Sequence, residues 1–156
     1  MIKIMLTLAE PKELKYSIPL LYLPFKVAET KEKYYTIISN ILQNFNIDIV
    51  FLCGFMRIVT SELYDNFLTI NIHPSLLPNH KGLMDINIHR NVIKNNDIFS
   101  GCTLHKVSKN IDEGEILLQK QCFVDTKNEL ILKNNIQELE KQCIIDYLNI
   151  LNNENK

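Results

Sequence analysis

Leu68-Thr69-Ile70-Asn71-Ile72-His73-Pro74-Ser75-Leu76-Leu77-Pro78 opens as an apolar run and closes on polar residues and prolines. Leu68 to Ile72 reads as a buried strand, with Thr69 and Asn71 set between apolar residues. Pro74 and Pro78 stop the strand and fix its exit path. In open α/β sheets ligands bind beyond the carboxyl ends of strands, so the polar end of this run is the place to look for chemistry. Asn71 and His73 are two apart in extended chain and project from one face. An amide and an imidazole side by side could polarise a carbonyl and move a proton.

Outward from this stretch, strand and helix patterns alternate. Upstream, Ile47 to Leu52 is another buried strand, with Gly54 just beyond it. Before it, Thr30 to Phe45 repeats Tyr34, Ile38, Ile41 and Phe45 at helical spacing, with Thr30 as N-cap. Ile2 to Leu6 reads as a strand, and Leu20 to Leu23, between Pro19 and Pro24, as an edge strand at most. Thr60 to Tyr64 fits one or two helical turns. Downstream, Asp85 to Lys94 reads as a helix with Ile86, Ile88 and Val92 or Ile93 inward. Ser100 to Val107 and Glu115 to Val124 form a hairpin-like pair of strands. Lys127 to Leu151 is a long helix with Leu132, Ile136, Leu139, Cys143, Tyr147 and Ile150 on one stripe, and 152–156 is a frayed polar tail. The pattern predicts one α/β domain with a largely parallel sheet.

The composition agrees with a soluble globular protein: 156 residues, 46% hydrophobic and 22% charged, net charge -1. That balance offers no basic footprint for nucleic acid or an anionic membrane. No apolar stretch approaches a membrane span. The start of the chain does not resemble a signal peptide. Cys53, Cys102, Cys122 and Cys143 form no C-x-x-C and sit in apolar runs, the usage of buried thiols in a reducing cytoplasm. The four histidines lack paired spacing, so no metal is expected. Ser75 lacks the context of a nucleophile elbow. His105 reads as a structural, hydrogen-bonded histidine on a strand face with Thr103 and Val107. His80 and His89 read as surface or helix positions.

Asn71-Ile72-His73-Pro74-Ser75-Leu76-Leu77-Pro78 resembles the signature of the formyltetrahydrofolate-using transferases, the glycinamide ribonucleotide (GAR) transformylase family above all. The resemblance continues at Gly54-Phe55-Met56-Arg57-Ile58-Val59, at Gly101-Cys102-Thr103-Leu104-His105 and at Asp112-Glu113-Gly114-Glu115-Ile116-Leu117-Leu118-Gln119. It implies a Rossmann-like, doubly wound, mostly parallel formyltransferase fold. It implies formyl transfer from 10-formyltetrahydrofolate to the amine of GAR in purine biosynthesis, with small-molecule substrates only, as a cytoplasmic monomer or homodimer. Asn71, His73 and Asp112 would be catalytic. Asn71 would bind the formyl oxygen, His73 would exchange protons, and Asp112 would hold the imidazole and favour its charged form. Leu52, Phe55, Met56, Arg57, Ile58, Val59 and Val107 would bind folate. Met56, Ile72, Pro74, Gln137 and Glu140 would contact the substrate.

The family begins with a strand and a glycine-rich phosphate loop, whereas Ile2 to Leu6 resembles the family's second strand. The expectation is therefore a formyltransferase domain over residues 1–151, incomplete at its N-terminus, with weak nucleotide binding. Alternatively, Ile2 to Leu6 takes the inner strand's place. Other members of the superfamily formylate sugar nucleotides or methionyl-tRNA, or pass the formyl group to water. A remnant that retains only folate binding is the competing reading outside enzymes.

Overall fold

The computed structural model of the protein describes residues 4–8 and 23–154. The chain divides into two compact units, Met1–Ile70 and Asn71–Lys156.

In the first unit, β1 (Ile4–Leu8) pairs in parallel with β2 (Ile49–Cys53), in a register that sets Ile4 opposite Ile49 and Leu8 opposite Cys53. The two strands are direct neighbours, and among the described strands β1 stands at the edge of the sheet. It ends two residues later than its apolar pattern suggests. The expected edge strand Leu20 to Leu23 lies outside the described residues except for Leu23, which is irregular. β2 earns its continuous apolar run: Val50 is 0% exposed and Phe51 1%. Burying such a side chain contributes about 1.5–3 kcal/mol.

Between them, α1 (Lys31–Asn44) starts where Thr30 accepts a hydrogen bond from the Lys33 amide. That satisfies one of the orphan donors of the first turn. Its buried face is Tyr34, Tyr35, Ser39 and Leu42. The expected stripe ending at Phe45 is corrected, because Phe45 is the C-cap and stands 63% exposed. A short helix, α2 (Ser61–Tyr64), packs on α1, and the Ser39 hydroxyl donates to the Glu62 carbonyl.

Strand β3 (Leu68–His73) crosses from the first unit into the second. The second unit continues with α3 (Ile86–Lys94), β4 (Phe99–Lys106), β5 (Ile116–Phe123) and α4 (Glu129–Glu154). β4 lies between β3 and β5 and pairs antiparallel with β5, with a bulge between Leu104 and His105. The chain is thus α/β with a mixed sheet. α4 packs on β4 and β5 through Leu132, Ile136, Cys143 and Tyr147. Leu139 is only half-buried and Ile150 is 43% exposed, so the apolar stripe is shorter than its periodicity suggests. The helix nevertheless runs on to Glu154, three residues past the expected end. No helix among the described residues is long and apolar enough to cross a membrane.

Of the two expected surface or helix positions, His89 lies on a helix, α3, and His80 lies in the loop after β3, half-buried, with its side chain 9% exposed. His89 is 2% exposed, on the inner face of α3 beside Ile88 and Val92. The helical stripe runs through Ile88 and Val92, and His89 flanks it at i+1. Ile86 is half-buried.

Candidate active site

β3 delivers Asn71 and His73 to its carboxyl end, and the turn that follows is held by side chains from two other strands. Thr103 on β4 donates its hydroxyl hydrogen to the Ser75 carbonyl at 2.7 Å and accepts from the Leu77 amide at 3.0 Å. Gln119 on β5 donates to the Leu77 carbonyl at 3.0 Å and to the Thr103 hydroxyl at 2.8 Å. The Ser75 hydroxyl donates to the Asn79 carbonyl at 2.6 Å. Ser75 and Thr103 are fully buried, so each of these bonds replaces one that water cannot make. The backbone after His73 therefore has one path, and Ser75 is occupied in holding it.

Four side chains converge at this strand end. Asp112 lies 3.5 Å by Oδ2 from His73 Nδ1 and 3.7 Å by Oδ1 from His105 Nε2. His105 Nδ1 donates to the Lys106 carbonyl at 3.0 Å, which leaves Nε2 as an acceptor. Asn71 Nδ2 sits 3.2 Å from that nitrogen and donates to it. The tautomer of His105 therefore orients the amide of Asn71. All three ionisable side chains are covered, with 6%, 3% and 9% exposure for His73, His105 and Asp112.

Asp112 reaches the site on a loop with special backbone geometry. Its own φ is 56°, the left-handed region that a non-glycine residue occupies only when its surroundings hold it there. Gly114 passes so close to the Lys106 carbonyl that an added Cβ would stand 1.7 Å from its oxygen. The Gly82 amide donates to Asp112 Oδ2 at 2.9 Å.

Burial dominates the electrostatics. It pushes the His73 imidazole below its ordinary value, against the upward pull of Asp112. The His105 ring adds to the depression, the His80 carbonyl opposes it, and the His80 ring adds to it again. His105 is likewise depressed by burial, with the Lys106 carbonyl and Asp112 pulling it back. Asp112 pulls the His73 imidazole upward, and desolvation outweighs that pull. His73 Nε2 is buried without a hydrogen-bond partner among the described residues. A neutral imidazole backed by a carboxylate, beside an oriented amide, can take up a proton and donate hydrogen bonds to a developing oxyanion.

The sequence pattern of the formyl transferase family matches residues 8–148. The chain belongs to that family. It is similar to the trifunctional purine biosynthetic protein adenosine-3 of Bos taurus, with 38% identity over 108 residues, 68% of this chain and 10% of that protein. It is 37% identical over 98 residues to the chloroplastic phosphoribosylglycinamide formyltransferase of Arabidopsis thaliana, 58% of this chain and 34% of that protein. The chain therefore spans well under two thirds of these relatives. Among solved structures, the phosphoribosylglycinamide formyltransferase of Bacillus halodurans superposes with a TM-score of 0.76 at 28% identity, covering 91% of this chain and 76% of that one.

The remaining residues expected in a formyl transferase site are distributed as follows. Leu52 and Val59 are buried in the first unit, Phe55 is half-buried, and Met56 and Ile58 are 51% and 57% exposed on the loop after β2. Arg57 stacks over the Phe25 ring at 4.9 Å. In the second unit Ile72 is buried, and Pro74 and Val107 are half-buried. On α4, Gln137 is exposed, while burial pushes the Glu140 carboxyl up to about 7 against the pull of Lys133. A cavity of about 330 Å³ opens beside Asp112, lined by Leu77, Pro78, Lys81, Glu113, Gly114 and Ile116. Among the described residues no group of three or more His, Cys, Asp or Glu is arranged to hold a metal ion.

Two side chains of the site were not singled out from sequence. His105 reads from sequence as a hydrogen-bonded structural residue, and its ring does bond the Lys106 carbonyl and the Asn71 amide, a contact that its place two residues after Thr103 does not reveal. Gln119 was seen only as part of a motif, and its contact with the Leu77 carbonyl exists only once β5 pairs with β4.

Proposed function

We propose that the chain transfers a formyl group from 10-formyltetrahydrofolate to the amine of glycinamide ribonucleotide, a step of purine biosynthesis. The observation that supports this most is the cluster of Asn71, His73, His105 and Asp112 at the end of β3, in a chain of the formyl transferase family. The donor supplies the electrophilic formyl carbon. Asn71 keeps a second N–H after donating to His105, and that N–H hydrogen-bonds the formyl oxygen as charge grows on it. His73 makes the second contact and exchanges protons with the tetrahedral intermediate and the leaving nitrogen. Asp112 stabilises the imidazolium while His73 carries the extra proton. Direct attack by an amine needs juxtaposition and oxyanion stabilisation, and no protein nucleophile.

In this reading the apolar wall of Leu77, Pro78 and Ile116 suits the ring portion of the donor. Leu52, Phe55 to Val59 and Val107 contribute to donor binding. Met56, Ile72, Pro74, Gln137 and Glu140 contact the nucleotide. The enzyme works on small molecules in the cytoplasm, as a monomer or homodimer. The test is formyl transfer by the purified chain, with both products identified by mass spectrometry. Formylated GAR and tetrahydrofolate are the expected products. Formylation of a different amine with GAR left unreacted overturns the acceptor, and no transfer to any amine overturns the activity.

A further inference from the structure

His80 stands outside the chemistry, yet its surroundings tie it to Asp112. Its side chain is 9% exposed, and its backbone φ is 59°. Nε2 donates to Asp97 Oδ2 at 2.7 Å, and Nδ1 lies 3.0 Å from Asn91 Oδ1. Asn91 belongs to α3 and Asp97 to the α3–β4 connection, where the Asp97 amide donates to the Val92 carbonyl at 3.1 Å. The ring is thus fastened at both ends to a well-packed part of the unit.

What it fastens is a tight turn. The Leu83 amide donates to the His80 carbonyl at 3.3 Å, and Gly82 in between has a φ of 74°. A turn of this kind needs positive φ at its third residue, which glycine adopts without a Cβ penalty. The geometry aims the Gly82 amide at Asp112 Oδ2, the oxygen that faces His73. At 2.9 Å this is the shortest contact of the Asp112 carboxylate. A charge-assisted bond of this type is stronger than one between neutral groups. Lys81 also pairs with Glu113 across the same gap, but that pair is exposed and screened by solvent.

We propose that His80 is a positioning residue: clamped by Asp97 and Asn91, it holds the turn His80–Leu83 so that the Gly82 amide fixes the rotamer of Asp112 against His73. The proposal rests on the formyl transfer assigned above. Its test has one readout that needs no activity.

The first measurement is the amide resonance of Gly82 in the whole chain, by proton–nitrogen NMR. Loss of Asp112 in Asp112→Ala should move it upfield and accelerate its exchange with solvent. His80→Ala and Asp97→Asn should move it in the same direction. A Gly82 resonance in both variants that matches the unsubstituted chain overturns the proposal, whether or not the chain transfers formyl groups.

The second measurement is a double-mutant cycle on turnover. His80→Ala should lower kcat by about tenfold with KM for both substrates nearly unchanged. His80→Ala keeps the backbone carbonyl that faces His73, so in the Asp112→Ala background the same change should cost less than about twofold, because the turn has no carboxylate left to position. Equal costs in both backgrounds would mean that His80 merely supports the fold, and would overturn the proposal. Should His80→Ala fail to fold, Asp97→Asn, which keeps the size of the side chain, carries the same cycle.

Discussion

Asn71 and His105, 34 residues apart in the chain, meet side chain to side chain at 3.2 Å. The contact has a direction, because the Lys106 carbonyl takes the Nδ1 hydrogen of His105 and leaves Nε2 to accept. Replacing His105 with Phe keeps the bulk and removes the acceptor. The Asn71 amide is then free to rotate. Turnover should fall by roughly tenfold to a hundredfold, and Asn71→Ala should fall by at least as much, on the scale of a lost oxyanion donor. Steady-state formyl transfer by the two variants checks this. Full activity in His105→Phe would return His105 to a structural role.

Asp112 pulls the His73 titration upward while burial pushes it down. Asp112→Asn removes the pull, so the His73 ring should titrate still lower than in the unsubstituted chain. The imidazolium that forms during proton transfer loses its stabilisation, and kcat should drop by a factor of about ten to a hundred. Proton NMR of the histidine rings between pH 4 and 8 reports the first effect independently of the second. An unmoved His73 titration would show that the carboxylate does not act on that ring.

Buried His89 of α3 and half-buried Glu140 of α4 should give stability opposite slopes with pH. Glu140 is raised from 4.5 to about 7 by burial, so its contribution is complete below about pH 4.5 and is lost as pH rises through 7. His89 is lowered from 6.5 to about 4 by burial, with Lys133 adding to the shift and Asp85 opposing it. Its contribution is complete above about pH 6.5 and is lost as pH falls towards 4. Glu140→Gln should therefore stabilise the chain at pH 8 by on the order of 2–3 kcal/mol relative to its effect at pH 4. His89→Gln should flatten the acid side instead. Urea denaturation across that pH range distinguishes the two, and parallel curves for Glu140→Gln and the unsubstituted chain would contradict the assignment of a buried, uncharged carboxyl.

Thr103 holds the turn after His73 through one donated and two accepted hydrogen bonds. Thr103→Val preserves shape and leaves the Ser75 carbonyl and the Leu77 amide unpaired in the interior. A stability loss of about 2–4 kcal/mol is expected from two unmet buried groups. Turnover should fall as well, since the turn carries the backbone that positions His73. A denaturation midpoint within experimental error of the unsubstituted chain would mean that the turn is held by other contacts.

Local patterning was enough for most of the elements and for part of the site. A continuous apolar run becomes a buried strand because both of its faces must leave water, and so β2 could be read directly. Thr30 announces the start of α1 because its hydroxyl reaches the amide three residues on, a contact within one turn. Asn71 and His73 could be placed on one face of a strand end from spacing alone. Tertiary structure decided whatever depends on which strand lies beside which. The place of β4 beside β3 brings His105 to Asn71, its pairing with β5 brings Gln119 to Leu77, and no local period encodes a contact across 34 or 42 residues. The same holds for His80 and His89, polar by composition yet buried. A histidine goes inside when partners or packing outweigh its hydration, and the partners of His80 lie 11 and 17 residues away. The left-handed backbone at Asp112, fixed by the Gly82 amide and the close passage of Gly114 over Lys106, likewise belongs to the folded chain, because only neighbours brought together by folding can hold a residue in a conformation it would otherwise avoid.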